Sequence, residues 1–409
     1  MVVWVHAGND RVCFSQYYRL ADGSAVECKC PHAAAPKEDW AVEVQHRWSA
    51  KVVIGIVVFC ATVSAVPLCS KLVFQGSSGA SAVPRFPYPL ATAFLQLSFT
   101  SCILAMGNVG HHLCSTFCQA ESVSSRRSRT QPSWLLGPHL FYKLRHIMPA
   151  GLMFGLKFAI TNWGLQKVPA PTHLLLQSTD LLWTLIFARV VNREKLNGIE
   201  LGATLMSSVG AIVISYDASA SLDIPCLAIA VNLMTPIALA LCVNFLRAGV
   251  AELTNPDNQI RGSISSVEFT AWKTGISAVV TLALSFLLES GNFRLSEYSL
   301  LHRSSKPPWW MALRDYPQSG ILLLLLDSVF LLLFQVNLTW LTSLTSAVTV
   351  GIISEVKVIP QWLINSAFGL PVHHTNANLI GAVILLLASA VYACSTMHKV
   401  SKCERIECV

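Results

Sequence analysis

The chain has 409 residues, 53% of them hydrophobic and only 12% charged, with a formal net charge of +7. A soluble domain carries roughly 25% charged residues, so a water-soluble globule is excluded. The excess Lys and Arg lie mostly in loops beside apolar runs, which excludes a nucleic-acid-binding surface, and no nucleic-acid partner is expected.

Residues 1–50 are polar and mixed, and are expected to form a poorly ordered cytosolic tail. The opening MVVWV lacks a basic stretch and is too short for the apolar core of a signal peptide. Cys28, Cys30 and His32 in this tail do not have the spacing of a zinc site, and no metal or cofactor is expected.

A bilayer-crossing helix needs about 20 apolar residues. Ten such spans read along the chain, at 51–72, 87–108, 147–166, 170–190, 199–216, 224–246, 266–289, 318–339, 344–368 and 377–397. The expected fold is therefore all-α and polytopic, in a lipid bilayer. The loop 109–143, with its SVSSRRSRTQPS, reads as a flexible basic linker, and 398–409 as a cytosolic tail. Pro67, Pro236 and Pro360 fall inside spans, where each removes a backbone hydrogen bond and leaves a carbonyl for a neighbour or a cavity to satisfy. Six cysteines (60, 69, 102, 226, 242 and 394) sit in apolar runs and read as small hydrophobes rather than a disulfide framework. Counting Lys and Arg in the short loops favours both termini on the cytosolic side, although the basic loop 290–317 weakens the bias.

Two stretches read as one module written twice. VPAPTHLLLQSTDLLWTLIF (168–187) lies over TSAVTVGIISEVKVIPQWLI (345–364), and a small-residue span follows each, at 201–216 and 380–395. The overlay sets Asp180 opposite Lys357 and Gln177 opposite Ser354. Five spans per half is an odd number, so the second module, 217–397, is inserted upside down relative to the first, 51–216. Two inverted five-helix repeats are how many transporters hold a substrate near the bilayer midplane.

An ionised side chain at mid-span costs at least about 2.5–3.5 kcal/mol and is functional by default. The candidates are Lys157, Asp180, Lys273, Asp327, Glu355 and Lys357, with Asn162, Gln177, Gln335 and Asn337 adding neutral polarity. Lys357, three residues before Pro360, reads either as a point-charge ligand for a phosphate or as half of an ion pair with Asp180 or Glu355. Glu355 is about 200° around a helix from Lys357 and shares no face with it. Lys157 reads evenly as a second anion ligand or a snorkelling surface residue, and Lys273 as lying near an interface. Asp327, alone in GILLLLLDSVFLLLF, needs a partner on another helix or holds a proton. Trp163 and Trp183 read more readily as lipid-facing or core aromatics than as stacking platforms.

SKLVF (70–74), FPYPLATAFLQ (86–96), the stretch 160–215 with its Asn162-Trp163 pair and Glu194-Lys195, and LTSAVTVGIISEVKV (344–358) together resemble the triose-phosphate and nucleotide-sugar transporters of the drug/metabolite transporter superfamily, the solute carrier family 35 group in animals. The resemblance covers about 51–397. It implies ten helices in inverted repeats, a central cavity, and exchange of a phosphorylated solute. By motif, Lys357 matches the family's substrate-binding lysine of the ninth span, and Lys71 the lysine of its first-span Asn-Lys motif. The departures are Val358 where plastid exchangers have Arg, Gln177 where many members have a cation, Ser354 to Lys357 in place of Ala-Leu-Asn-Lys, and Ala271 to Thr274 in place of Phe-Tyr-Asn-Asn. These argue against triose phosphate and against GDP-mannose.

The expectation is an antiporter of a nucleotide sugar or related anionic metabolite, in the Golgi or endoplasmic reticulum membrane, with both termini cytosolic. Its substrate-binding residues would be Lys357, Lys71, Lys157, Gln177, Asp180, Glu355 and Asn162. A second copy of the chain is a candidate partner. The rivals are a proton-coupled exporter of an organic cation, carried by Asp180, Glu355 and Asp327, and a non-transporting regulator of the same fold. An enzyme is not expected, because no convergent catalytic set is present.

Overall fold

The computed structural model describes residues 2–8, 11–19, 25–27, 38–76, 85–120, 137, 139–167, 173, 177, 179–194, 197–216, 226–289, 307–357, 359–360 and 376–407. Its helical body comprises α1 (Glu38–Gln75), α2 (Pro89–Ala120), α3 (Leu140–Lys167), α4 (Asp180–Val191), α5 (Gly198–Tyr216), α6 (Cys226–Thr254), α7 (Ser266–Glu289), α8 (Trp309–Arg314), α9 (Gln318–Leu344), α10 (Ala347–Val356) and α11 (Asn376–Glu407). Among the described residues, five helices are long and apolar enough to cross a membrane: Val52–Phe74, Pro89–Cys114, Ala230–Thr254, Ser266–Glu289 and Gln318–Leu344. Shorter apolar helices run over Gly198–Val213, Ala347–Val356 and Leu379–Ser395. The membrane body is thus all-α and polytopic.

The N-terminal segment differs from the expectation of a poorly ordered tail. Three strands, β1 (Val2–Gly8), β2 (Arg11–Arg19) and β3 (Ala25–Glu27), form an antiparallel sheet in the order β1-β2-β3, with Val2 opposite Tyr17 and Gly8 opposite Arg11. The β-branched and aromatic residues of VVWV and FSQYY suit that pairing. Helix α1 starts at Glu38, well before its apolar part, and α11 runs on to Glu407. Helix α2 likewise continues to Ala120, into the stretch read as linker, because VGHHLCSTFCQA holds no proline to stop it. The Cys28, Cys30 and His32 group lies outside the described residues.

Lipid-like exteriors cannot drive helix association hydrophobically, so close backbone approach and hydrogen bonds do. On α3, Gly151 and Gly155 let α7 come close: a methyl group built on Gly155 would stand 2.9 Å from the Ser277 carbonyl, and Ser277 Oγ donates to the Gly151 carbonyl at 2.7 Å. Gly210 does the same for α5 against α11, where a Cβ would lie 2.7 Å from the Leu385 nitrogen. Asn337 Nδ2 on α9 donates to the Gly55 carbonyl of α1 at 2.7 Å. Phe59, Leu97, Phe154, Leu181, Leu246, Phe269, Leu331 and Val348, each from a different helix, belong to one buried cluster.

The neighbours form a pattern. Helix α1 packs on α9 and α3 on α6, α3 on α7 and α2 on α9, while α2 pairs with α7, α4 with α10 and α5 with α11. Exchanging α1–α5 for α6, α7, α9, α10 and α11 maps these pairs onto one another; α4 also packs broadly on α6, whereas their counterparts α10 and α1 touch only narrowly. At one end, Phe94, Phe286, Trp309 and Trp310 gather around α8, with Trp309 and Trp310 centroids 5.7 Å apart. Such rings suit the boundary between lipid and water.

Candidate functional site

The site starts from two interrupted helices. Helix α4 begins at Asp180, behind a turn at Thr179, while Gln177 is already helical; helix α10 ends at Val356 with Lys357 as its C-cap, and Ile359 and Pro360 are helical again. The expected continuous ninth span is therefore stopped just before Pro360, which cannot accept the preceding turn. The two interruptions fall at positions that the overlay of 168–187 on 345–364 sets opposite each other. Asp180 lies at a helix start and Lys357 at a helix end, where the macrodipole favours a negative and a positive charge respectively.

These ends meet. Lys357 Nζ is 3.5 Å from Asp180 Oδ2 and 3.0 Å from Ser354 Oγ, and Ser354 Oγ donates to Asp180 Oδ2 at 3.2 Å. Both charged side chains are almost wholly buried, at 7% and 3% exposure. Glu355 lies against Asp180 on the far side and accepts the Leu181 N–H. Glu355 thus serves the α4 helix start rather than sharing a face with Lys357.

In front of this pair lies a narrow cavity of about 70 Å³. Its polar lining includes Ser70, Lys157, Asn162, His173, Gln177 and Lys357, and its aromatic wall is Phe59, Phe158 and Phe334. Phe59 and Phe334 stand 5.5 Å apart, from facing helices α1 and α9. Lys157 is buried, and its ammonium sits over the Phe158 ring at 4.3 Å; it has no ion pair among the described residues. Asn162 donates to the Pro89 carbonyl at 3.3 Å.

Of the sequence candidates, Lys357, Lys157, Gln177 and Asn162 share this cavity, while Asp180 and Glu355 form a layer behind Lys357. Lys71 is not among the lining residues: its neighbour Ser70 faces the cavity, and one residue is a 100° turn. Lys273 is not near an interface. It is fully buried, donates to Thr339 Oγ1 at 3.0 Å and sits 4.5 Å over the Phe154 ring. Trp163 is partly exposed on α3, and Trp183 stacks on Phe187.

The reading of the sequence missed a hydrogen-bonded row. Gln177 Nε2 meets His173 Nε2 at 2.8 Å, and His173 Nδ1 meets Asn232 Oδ1 at 2.5 Å. The signal was present: His173 is one helical turn before Gln177, and Val350 and Ser354, which also line the cavity, occupy the corresponding places in the second module.

The end of the bundle where α4, α6, α9 and α10 meet is bridged by hydrogen bonds. The Ala347 N–H donates to Glu194 Oε1 at 3.3 Å, Arg247 Nη1 to the Thr342 carbonyl at 2.9 Å, and Asn192 Nδ2 to Asn244 Oδ1 at 2.7 Å. Burial holds the Glu194 carboxyl above its ordinary value, opposed by the N–H groups of Ala347 and Val348 and by Arg247. At the other end, Glu289 accepts the N–H groups of Leu90 and Ala91, each at 2.8 Å, and caps α2.

No protein-family model matches the chain. A stretch of 85 residues is 28% identical to a protein of Arabidopsis thaliana described as probable purine permease 4, covering 20% of this chain and 22% of that one. A solved structure described only as a crystal structure of a protein overlays 82% of the chain and 97% of its own length, with a TM-score of 0.48 and 14% identity. Fold and site together define a multi-pass membrane protein with a largely apolar cavity, lined by two buried lysines, at the junction of two interrupted helices.

Proposed function

We propose that the chain is a membrane transporter that exchanges an anionic, phosphorylated metabolite by alternating access between two inverted five-helix repeats of ten spans. The observation that carries this is the cavity at the two interrupted helices, with Lys157 and Lys357 aimed into it. Corresponding breaks in two halves mark the substrate site in repeat-built transporters. Lys357 is balanced by Asp180, which leaves Lys157 without a counter-ion among the described residues, beside an aromatic wall. An anion with a flat ring suits that lining, and the likeness to a purine permease agrees with it.

In this reading Lys357 and Lys157 hold the phosphate. Asp180 holds Lys357 when no solute is bound, and Gln177, Asn162 and His173 orient the remainder. A cavity of about 70 Å³ is well below the roughly 300–1,000 Å³ of a drug-sized site, so a nucleotide-sized solute enters only when the helices part. A nucleotide sugar exchanged for a smaller nucleotide, across a Golgi or endoplasmic reticulum membrane with both termini cytosolic, is the fullest form of the proposal.

The test is uptake into proteoliposomes preloaded with nucleoside monophosphates, screening labelled nucleotide sugars, sugar phosphates and organic cations. Exchange of a phosphorylated solute that Lys357→Ala abolishes supports the reading. Uptake of a cation alone, indifferent to Lys357, overturns it.

A further inference from the structure

Asp327 lies ten residues into α9, about 14 Å along the helix, and is completely buried. It is outside the cavity lining, and the mechanism above gives it no work. Its Oδ2 accepts two hydrogen bonds, from Ser70 Oγ at 2.7 Å and from Gln96 Nε2 at 2.5 Å, while Oδ1 has no partner among the described residues. Among the described residues the surroundings offer no counter-ion. Helix α1 brings the Ser70 hydroxyl and the Cys69 thiol, and α2 brings the Gln96 amide. Helices α6, α7 and α10 bring no charged group against it among the described residues; the buried Lys273 of α7 is held at Thr339, three turns further along α9.

A second observation lies on the same helix faces. Gln96 and Thr100 are one turn apart on α2, and Asp327 and Gln335 two turns apart on α9. The Thr100 hydroxyl, Asp327 Oδ1 and both amide atoms of Gln335 are buried and unpartnered among the described residues. Buried polar atoms in a membrane need partners, and a polar seam of this kind is where bound water supplies them.

We propose that Asp327 is a proton-binding site, supplied with protons along the polar seam between α2 and α9, and coupled to the transport cavity through Ser70. The groups favour a proton over a metal cation. Both contacts to Oδ2 come from donors, whereas a sodium ion needs several oxygen acceptors turned toward it. Ser70 connects the two sites directly, since it lines the cavity and donates to Asp327. Pro67, one turn earlier on α1, also lines the cavity and loosens the helix there. A solute that moves α1 therefore moves the donor that stabilises the carboxylate. The proton is taken from water on one side of the membrane and released to water on the other as α1 shifts.

This inference rests on the transport reading, so the first measurement does not need a solute. Infrared difference spectra of the purified full-length protein across a pH jump should contain the carbonyl stretch of a protonated carboxyl. Asp327→Asn should lose that band, and Ser70→Ala, which removes one hydrogen bond and keeps the carboxyl, should shift it. In proteoliposomes, Asp327→Asn should retain exchange at equal pH and lose its response to a pH gradient. A band untouched by both substitutions, or a gradient response that survives Asp327→Asn, overturns the proposal. A band lost in Asp327→Asn with no solute moved supports the proton site and overturns the transport reading instead.

Discussion

Lys357 has a counter-ion within 3.5 Å, whereas Lys157 has only an aromatic ring among the described residues, so neutralising the two should act in opposite directions. Lys357→Met leaves Asp180 buried, unpaired and beside Glu355. Breaking a buried pair from one side costs about 3–5 kcal/mol, and thermal unfolding in detergent should register that loss. Adding Asp180→Asn removes the orphaned charge, and the double variant should recover most of the stability without recovering transport. Lys157→Met replaces a buried, uncompensated ammonium with an apolar chain of similar length. It should leave the unfolding temperature unchanged or higher, while weakening binding of a phosphorylated solute about tenfold or more, roughly 1.4 kcal/mol. If both variants unfold alike, the distinction between paired and unpaired lysine is wrong.

At the scale of elements, packing is set where glycines let backbones touch. Gly210→Ala puts a Cβ within 2.7 Å of the Leu385 nitrogen and 2.9 Å of the Gly381 carbonyl, both backbone atoms that cannot swing aside. The substitution should cost about 1–3 kcal/mol, seen as a lowered unfolding temperature. Gly202→Ala on the same helix meets nothing within 4 Å and should be neutral or slightly stabilising. The sequence made the apolar helices legible because length and composition suffice for that. It also made the Asp180–Lys357 meeting legible, because overlaying two copies of one module puts equivalent positions face to face. Pro360 marked a loosened helix near Lys357, but the start of α4 at Asp180 was not legible, because LLLQSTDLLWT holds no proline or glycine. Nor did the sequence show that Ser70 rather than Lys71 faces the cavity. That depends on the rotation of α1, which packing against α9 sets through Asn337 and Gly55. The reach of α1, α2 and α11 beyond their apolar parts was missed for another reason: hydropathy marks where lipid begins, not where helix ends.

For the whole molecule, alternating access needs the two ends of the bundle to be held by bonds that break in turn. One end is held by Glu194 on the α10 start, which joins the two halves, and by Arg247 on the α9 end, which ties α6 to α9 within the second half. The other is held by Glu289 on the α2 start. Each is a charge-assisted bond worth about 1.5–3 kcal/mol, and a change of 1.4 kcal/mol moves a two-state equilibrium tenfold. Glu194→Ala should therefore raise the share of molecules open at the α10 end by about tenfold, and Glu289→Ala should do the same at the α2 end. The readout is the rate at which an impermeant thiol reagent labels Leu338→Cys, a cavity-lining position on α9, in a background without the native cysteines. Applied from one side of oriented proteoliposomes, the reagent should label faster in one variant and slower in the other, with the order reversed from the opposite side. Labelling that speeds up from both sides in both variants would mean these carboxylates hold the fold together generally, and that the ends do not open in turn.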